Sequence, residues 1–144
     1  MKIGIDWGGT KIEGISIDPK NGTELNRIRV DSPKENYEEI VSKVVEVIKE
    51  LSKDSKNFTV GIGMPGSIHP KTNLVQVSNT KALEGKPVKS DIETKLGYEI
   101  KIANDADCLA LSERCGWSRQ RLQKCFCSNS WHWGRRQVIP TIKK

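Results

Sequence analysis

Two short apolar runs, Ile3 with Ile5 and then Ile12, Gly14, Ile15 and Ile17, stand within the first seventeen residues, joined by Asp6-Trp7-Gly8-Gly9-Thr10-Lys11. A link that short, with two glycines at its centre, reads as a turn between two strands that pair with each other. Asn21-Gly22 is the strongest local hairpin signal in the chain and leads to a third strand ending at Ile28-Arg29-Val30. The chain therefore opens on three antiparallel strands, and Asp31-Ser32-Pro33 breaks the pattern.

The period then changes. From Tyr37 to Ser52 the residues Ile40, Val41, Val44, Val45, Val47, Ile48 and Leu51 fall on one helical stripe. Val60-Gly61-Ile62-Gly63-Met64 reads as a buried strand stopped by Pro65-Gly66. Residues 67 to 87 read as a long connection of turns, with a short strand at Leu74-Val75. Val88 to Leu96 suits a short helix closed by Gly97, Glu99 to Ala103 a strand, and Asp105 to Arg114 a further helix with Asn104 or Asp105 near its cap. That order predicts one α/β layer domain around a mixed sheet.

The 144 residues suffice for one ordinary domain with a core, and no run of about eighteen apolar residues predicts a membrane span. The opening turns acidic at Asp6, too early for a signal peptide, so the expected compartment is cytoplasmic and the four cysteines are expected as thiols. The net charge of +6 suggests nucleic acid only until it is mapped. Residues 1–113 carry 16 Lys and Arg against 18 Asp and Glu, whereas residues 114–144 carry 8 and no acid. Trp117, Trp131, Trp133, Cys115, Cys125 and Cys127 also lie after this break in composition.

Four stations along residues 1–113 could carry chemistry. In Asp6-Trp7-Gly8-Gly9-Thr10-Lys11 the glycines let backbone amides approach a phosphate, Thr10 offers a hydroxyl, Lys11 a point charge, and Asp6 could hold a metal or its water shell. A plain hairpin turn accounts for the same residues. Gly63-Met64-Pro65-Gly66 sets a turn at a strand end, where open α/β sheets bind ligands, although a change of chain direction alone would need such a turn. Asn79 with Thr80 could hydrogen-bond sugar hydroxyls, although a simple turn accounts for the same residues. Asn104-Asp105-Ala106-Asp107 follows a strand and opens a helix; a carboxylate there can accept a proton from a substrate hydroxyl, or simply cap the helix. His69 and His132 form no metal pair, Cys125, Cys127 and His132 lack the four-ligand pattern of structural zinc, and Cys108 reads as a small core residue.

Taken in order, these stations resemble the ROK family of bacterial sugar kinases and related repressors, most of all its fructokinase, mannokinase and N-acetylglucosamine kinase branch. The pieces that match are Ile3 to Lys11, Gly61 to Ile68, Val77-Ser78-Asn79-Thr80, and Ile102 to Glu113. The resemblance implies the amino-terminal lobe of an actin-like (ribonuclease H-like) ATPase fold, with the active site between two lobes. It implies ATP and Mg²⁺ as cofactors, a hexose as substrate, and phosphate contacts at Asp6, Gly8, Gly9, Thr10 and Lys11. It further implies Asp105 as the base that deprotonates the sugar hydroxyl, with Gly66, Asn79, Asn104 and Asp105 on the sugar, and leaves open a homodimer of the intact parent. Trp7 replaces a small aliphatic residue, and Thr80-Lys81-Ala82-Leu83 departs from the family's Asn-Ser-Thr-Trp-like stretch.

After Glu113 the family would run through an acidic-glycine turn and a strand into Gly-Thr-Gly-Val-Gly-Gly, a second phosphate loop. Trp131 to Arg136 can be encoded TGG CAC TGG GGT AGG AGG, and moving one nucleotide forward gives that loop. Arg114 to Trp117 becomes Ala-Val-Asp-Gly by the same shift, and Arg121 to Trp131 an apolar strand. The expectation is a kinase lobe over 1–113 and an out-of-frame basic tail over 114–144, without the family's zinc site and without activity of its own. Two rivals remain. The basic, Trp-containing tail could bind nucleic acid. A sugar-responsive repressor would carry a helix-turn-helix ahead of the first strand, where this chain already starts its sheet.

Overall fold

The structure, a computed structural model, describes residues 1–78, 80–104 and 108. Three strands open it: β1 (Lys2–Trp7), β2 (Lys11–Ile17) and β3 (Glu24–Asp31). They form an antiparallel meander, with Ile5 opposite Gly14 and Ile12 opposite Val30. The turn expected at Asn21-Gly22 is present, with Gly22 at φ +69° and its amide donating to the Asp18 carbonyl at 2.8 Å. Helix α1 (Tyr37–Ser52) follows, then β4 (Thr59–Met64), the hairpin β5 (Ser67–Ile68) and β6 (Val75–Val77), a 3-10 turn (Lys81–Leu83), α2 (Val88–Leu96) and β7 (Lys101–Asn104). The five-stranded sheet runs in the order β3-β2-β1-β4-β7, with β4 parallel to both β1 and β7. This is the mixed sheet expected from the change of period along the chain.

Alternation along β1 decides the layering. Ile3, Ile5 and Trp7 enter the core with Ile12, Val60, Ile62 and Met64, while Asp6 lies exposed on the other face. Helix α1 covers the core face with Ile40, Val41, Val44, Val45, Val47, Ile48 and Leu51, the predicted stripe. Its distance from the sheet is set by Gly14. A Cβ built there would lie 2.6 Å from Leu51 Cδ1, 2.8 Å from Val47 Cγ1 and 2.9 Å from Ile5 Cδ1.

Asn36 starts α1, its Oδ1 accepting from the Glu38 and Glu39 backbone amides at 3.0 and 3.4 Å, while its side-chain Nδ2 donates to Glu39 Oε1 at 3.2 Å. This reciprocal cap satisfies two otherwise orphaned donors. Asn36→Ala is expected to lower stability by about 1 kcal/mol, read as a fall of a few degrees in thermal melting. Helix α2 ends as predicted at Gly97, which takes the left-handed conformation at φ +82° and donates to the Glu93 carbonyl. The two helices are tied by the Tyr37 hydroxyl, which donates to Asp91 Oδ2 at 2.5 Å under the Lys86 ammonium. Partial burial, then that hydrogen bond, push the Tyr37 phenol above its ordinary pKa.

Two details differ from the expectation. Residues 67–87 hold a true hairpin and a 3-10 turn, because the tip is organised by side chains: His69 Nδ1 accepts from the Lys71 and Thr72 amides, and Asn73 takes φ +58°. The last strand runs over Lys101–Asn104 rather than Glu99 to Ala103, and the helix expected from Asp105 lies, apart from Cys108, outside the described residues.

Candidate active site

Strands β1, β4 and β7 are mutually parallel, so Trp7, Met64 and Asn104 bring their carboxyl ends to one rim of the sheet. That is the rim where an open α/β sheet places its ligands. Each of the four stations has a described residue there: the glycine turn, Gly66, Thr80 and Asn104. Asn79 and Asp105 lie outside the described residues, as do Ala106, Asp107 and the tail.

The β1–β2 turn is closed by Gly8 N donating to Lys11 O at 2.8 Å, and Ser32 N donating to Thr10 O at 2.9 Å. Among the described residues no acceptor meets the Gly9 or Thr10 amide. A Cβ on Gly8 would sit 3.2 Å from the Lys11 carbonyl oxygen, a crowding that favours glycine. Gly9 and Thr10 are exposed, so a tight turn leaves two amides and a hydroxyl at the surface without an acceptor or partner among the described residues. Such an array suits an anion with several acceptor oxygens. Asp6 stands one residue before Trp7 on the sheet face away from α1, next to Gly63 of β4, which contributes no side chain. The Lys11 ammonium pairs with Asp31, which holds the Asp31 carboxyl below the usual carboxylate range. Both partners are largely exposed, so a phosphate could compete for Lys11 at small cost.

The second wall is the Pro65-Gly66 turn. Gly66 takes φ +133°, a conformation open to glycine and rare for other residues. Its carbonyl accepts from Asn104 Nδ2 at 2.7 Å, and the neighbouring Pro65 carbonyl accepts from Ser78 Oγ at 2.5 Å. The Ser78 hydroxyl also accepts from the Thr80 amide at 3.0 Å. Thr80 in turn lies against the glycine turn, since a Cβ on Gly9 would be 4.0 Å from Thr80 Oγ1. Four segments distant in sequence thus converge, and the Asn104 amide group that the resemblance gives to sugar also fixes the Gly66 turn. Neither Ser78 nor Asp31 stood out from sequence. A serine two residues before Thr80 is the pattern of a local side-chain turn, and that signal could have drawn attention to Ser78. Cys108 is buried as expected, its thiol donating to the Asn104 carbonyl at 2.9 Å.

The sequence pattern of the ROK family matches residues 2–129. The chain belongs to the ROK family. An N-acetyl-D-glucosamine kinase of Pasteurella multocida (strain Pm70) is 37% identical over 124 residues, covering 85% of this chain and 40% of that protein. The ROK family glucokinase from Streptomyces griseus, solved with glucose and AMPPNP, superposes with a TM-score of 0.67 at 29% identity over 78% of this chain and 35% of that one. The inorganic polyphosphate/ATP-glucomannokinase from Arthrobacter sp. strain KM gives a TM-score of 0.66 at 32% identity, over 77% and 46%. The fold is therefore that of the amino-terminal lobe of an actin-like ROK protein. The chain spans about two-fifths of the length of the curated relatives it matches. Among the described residues no helix is long and apolar enough to cross a membrane, and no group of three His, Cys, Asp or Glu is placed to hold a metal ion.

Proposed function

We propose that this lobe belongs to an ATP-dependent hexose kinase that moves the γ-phosphoryl group of ATP to a sugar hydroxyl. The observation that carries the reading is the shared rim: the turn holding the Gly9 and Thr10 amides lies against Thr80, which Ser78 ties to the Pro65-Gly66 turn that Asn104 also holds. The kinases to which the chain is similar support it.

ATP, bound with Mg²⁺, would supply the phosphoryl group, and the metal would supply positive charge against it. Gly9 and Thr10 would donate amides and a hydroxyl to phosphate oxygens, Gly8 would bring the backbone close while its own amide closes the turn on Lys11 O, Lys11 would contribute its ammonium, and Asp6 would hold the water around the metal. Gly66, Asn79 and Asn104 hold the sugar. Asp105, which directly follows the last residue of β7, removes the proton of the attacking hydroxyl. Transfer of this kind depends chiefly on positioning and charge, which explains why so much of the rim is backbone. Fructose, mannose, glucose and N-acetylglucosamine all belong to the substrate class, and fructokinase-type activity is one member of it.

Residues 114–144 are proposed to be read one nucleotide out of frame, so the 144-residue chain alone is expected to be catalytically silent. A coupled ADP-release assay with the four sugars should show no turnover above background, and any sugar-dependent rate would refute that expectation. Shifting the frame by one nucleotide at codon 113 tests the function itself. The restored protein should phosphorylate at least one of the four sugars, and silence with all of them would remove the kinase reading.

A further inference from the structure

We infer that Ser78 is a positioning residue that locks the Thr80 segment, which lies beside the phosphate turn, to the Pro65-Gly66 turn of the sugar wall, an inference that rests on the proposed kinase reading. Its side chain is 8% exposed and both capacities of its hydroxyl are used. The hydroxyl donates to Pro65 O at 2.5 Å and accepts from Thr80 N at 3.0 Å. Pro65 and Thr80 stand on opposite sides of the β5–β6 hairpin: β5 starts two residues after Pro65, and β6 ends at Val77.

The hairpin alone cannot fix these two ends. Its pairing is short and shifts register between Ser67 and Ile68. A single buried hydroxyl closes its open end, where the chain enters and leaves. The same contact settles Thr80, whose carbonyl accepts from Leu83 N at 3.0 Å and starts the 3-10 turn. The Thr80 hydroxyl makes no capping bond of its own. It remains beside Gly9, at the junction of the phosphate turn and the sugar wall. Asn104 anchors the other face of the same wall through Gly66 O. Without Ser78, the Pro65-Gly66 turn keeps its tie to β7, while the segment carrying Asn79 and Thr80 loses its tie to that turn. The loss is therefore expected in sugar affinity more than in the fold.

The test uses the 144-residue chain and two readouts. In Ser78→Ala, amide exchange at Thr80 should quicken by at least about 10-fold while protection in α1 holds. Ser78→Thr, which keeps a hydroxyl, should restore protection. Glucose and N-acetylglucosamine are then titrated while the Gly66 and Thr80 amide resonances are followed. Ser78→Ala should weaken the apparent affinity by at least about 10-fold, whereas Gly22→Ala, strained at φ +69° in the β2–β3 turn at the opposite end of the sheet, should leave it unchanged. Unchanged exchange at Thr80, or an affinity that falls equally in Gly22→Ala, would overturn the positioning role. If the unaltered chain binds neither sugar, the sugar-positioning role of Ser78 in this lobe fails, and the exchange measurement still decides whether Ser78 couples the two segments.

Discussion

Gly14→Val is expected to lower stability by about 3 kcal/mol or more, because three core side chains already occupy the space its side chain would need. The contacts a Cβ would make, 2.6 to 2.9 Å from Leu51, Val47 and Ile5, come from both the helix and the neighbouring strand. Relief in one direction therefore creates strain in the other. The cost cannot fall on a single flexible side chain, and α1 must lift from β2 or tilt. In a domain of this size the melting temperature should drop by on the order of 10 °C. Gly14→Ala should fall between the two, and Leu51→Ala in the Gly14→Ala background should recover part of the loss, since residues in contact couple. A drop of under about 3 °C for the valine variant would mean that α1 is not seated this close to the sheet.

Asp105→Asn, made in the frame-restored protein, carries the largest functional effect. Asparagine keeps the shape and loses the proton acceptor, so kcat should fall by about 10² to 10⁴. The KM values for sugar and ATP should move far less, by roughly threefold or under, because the group acts on the transferring proton more than on ground-state binding. A kcat within about threefold of the unaltered protein would place the base elsewhere. A rise in sugar KM with kcat intact would leave Asp105 a binding role only. Asp105→Glu tests position separately from charge: the longer side chain retains a carboxylate, and a loss comparable to that of asparagine would show that reach decides the step.

The elements legible in sequence were those with a local physical cause. Period 3.6 over Tyr37–Ser52 gave α1, Asn21-Gly22 gave its turn, and Gly97 gave the end of α2. The glycine turn and the Pro65-Gly66 turn were legible as turns at strand ends, and their order along the chain, matching the family's, singled them out as stations. The contacts between stations were not legible. Nothing in the spacing of Ser78 and Pro65, or of Asn104 and Gly66, announces that one donates to the other's carbonyl. The pairing of Lys11 with Asp31 likewise follows from the β2–β3 register, in which the two stand opposite each other. The β5–β6 hairpin escaped because its strands are short and its tip relies on His69 and Asn73, neither in a turn pattern of its own. Sequence named the parts of the rim, and pairing across the sheet joined them.

The bond from Asn104 to Gly66 spans 38 residues, and that separation has a meaning during synthesis. The meander of β1, β2 and β3 needs only the first 31 residues and can form as soon as they leave the ribosome. Until β4 follows, the side of β1 that β4 later occupies remains an open edge able to recruit foreign strands. The ligand rim comes last, when β7 emerges and Asn104 reaches Gly66. A sugar added during translation could therefore stabilise only chains grown past this point, so ligand protection would mark how far each nascent polypeptide has progressed.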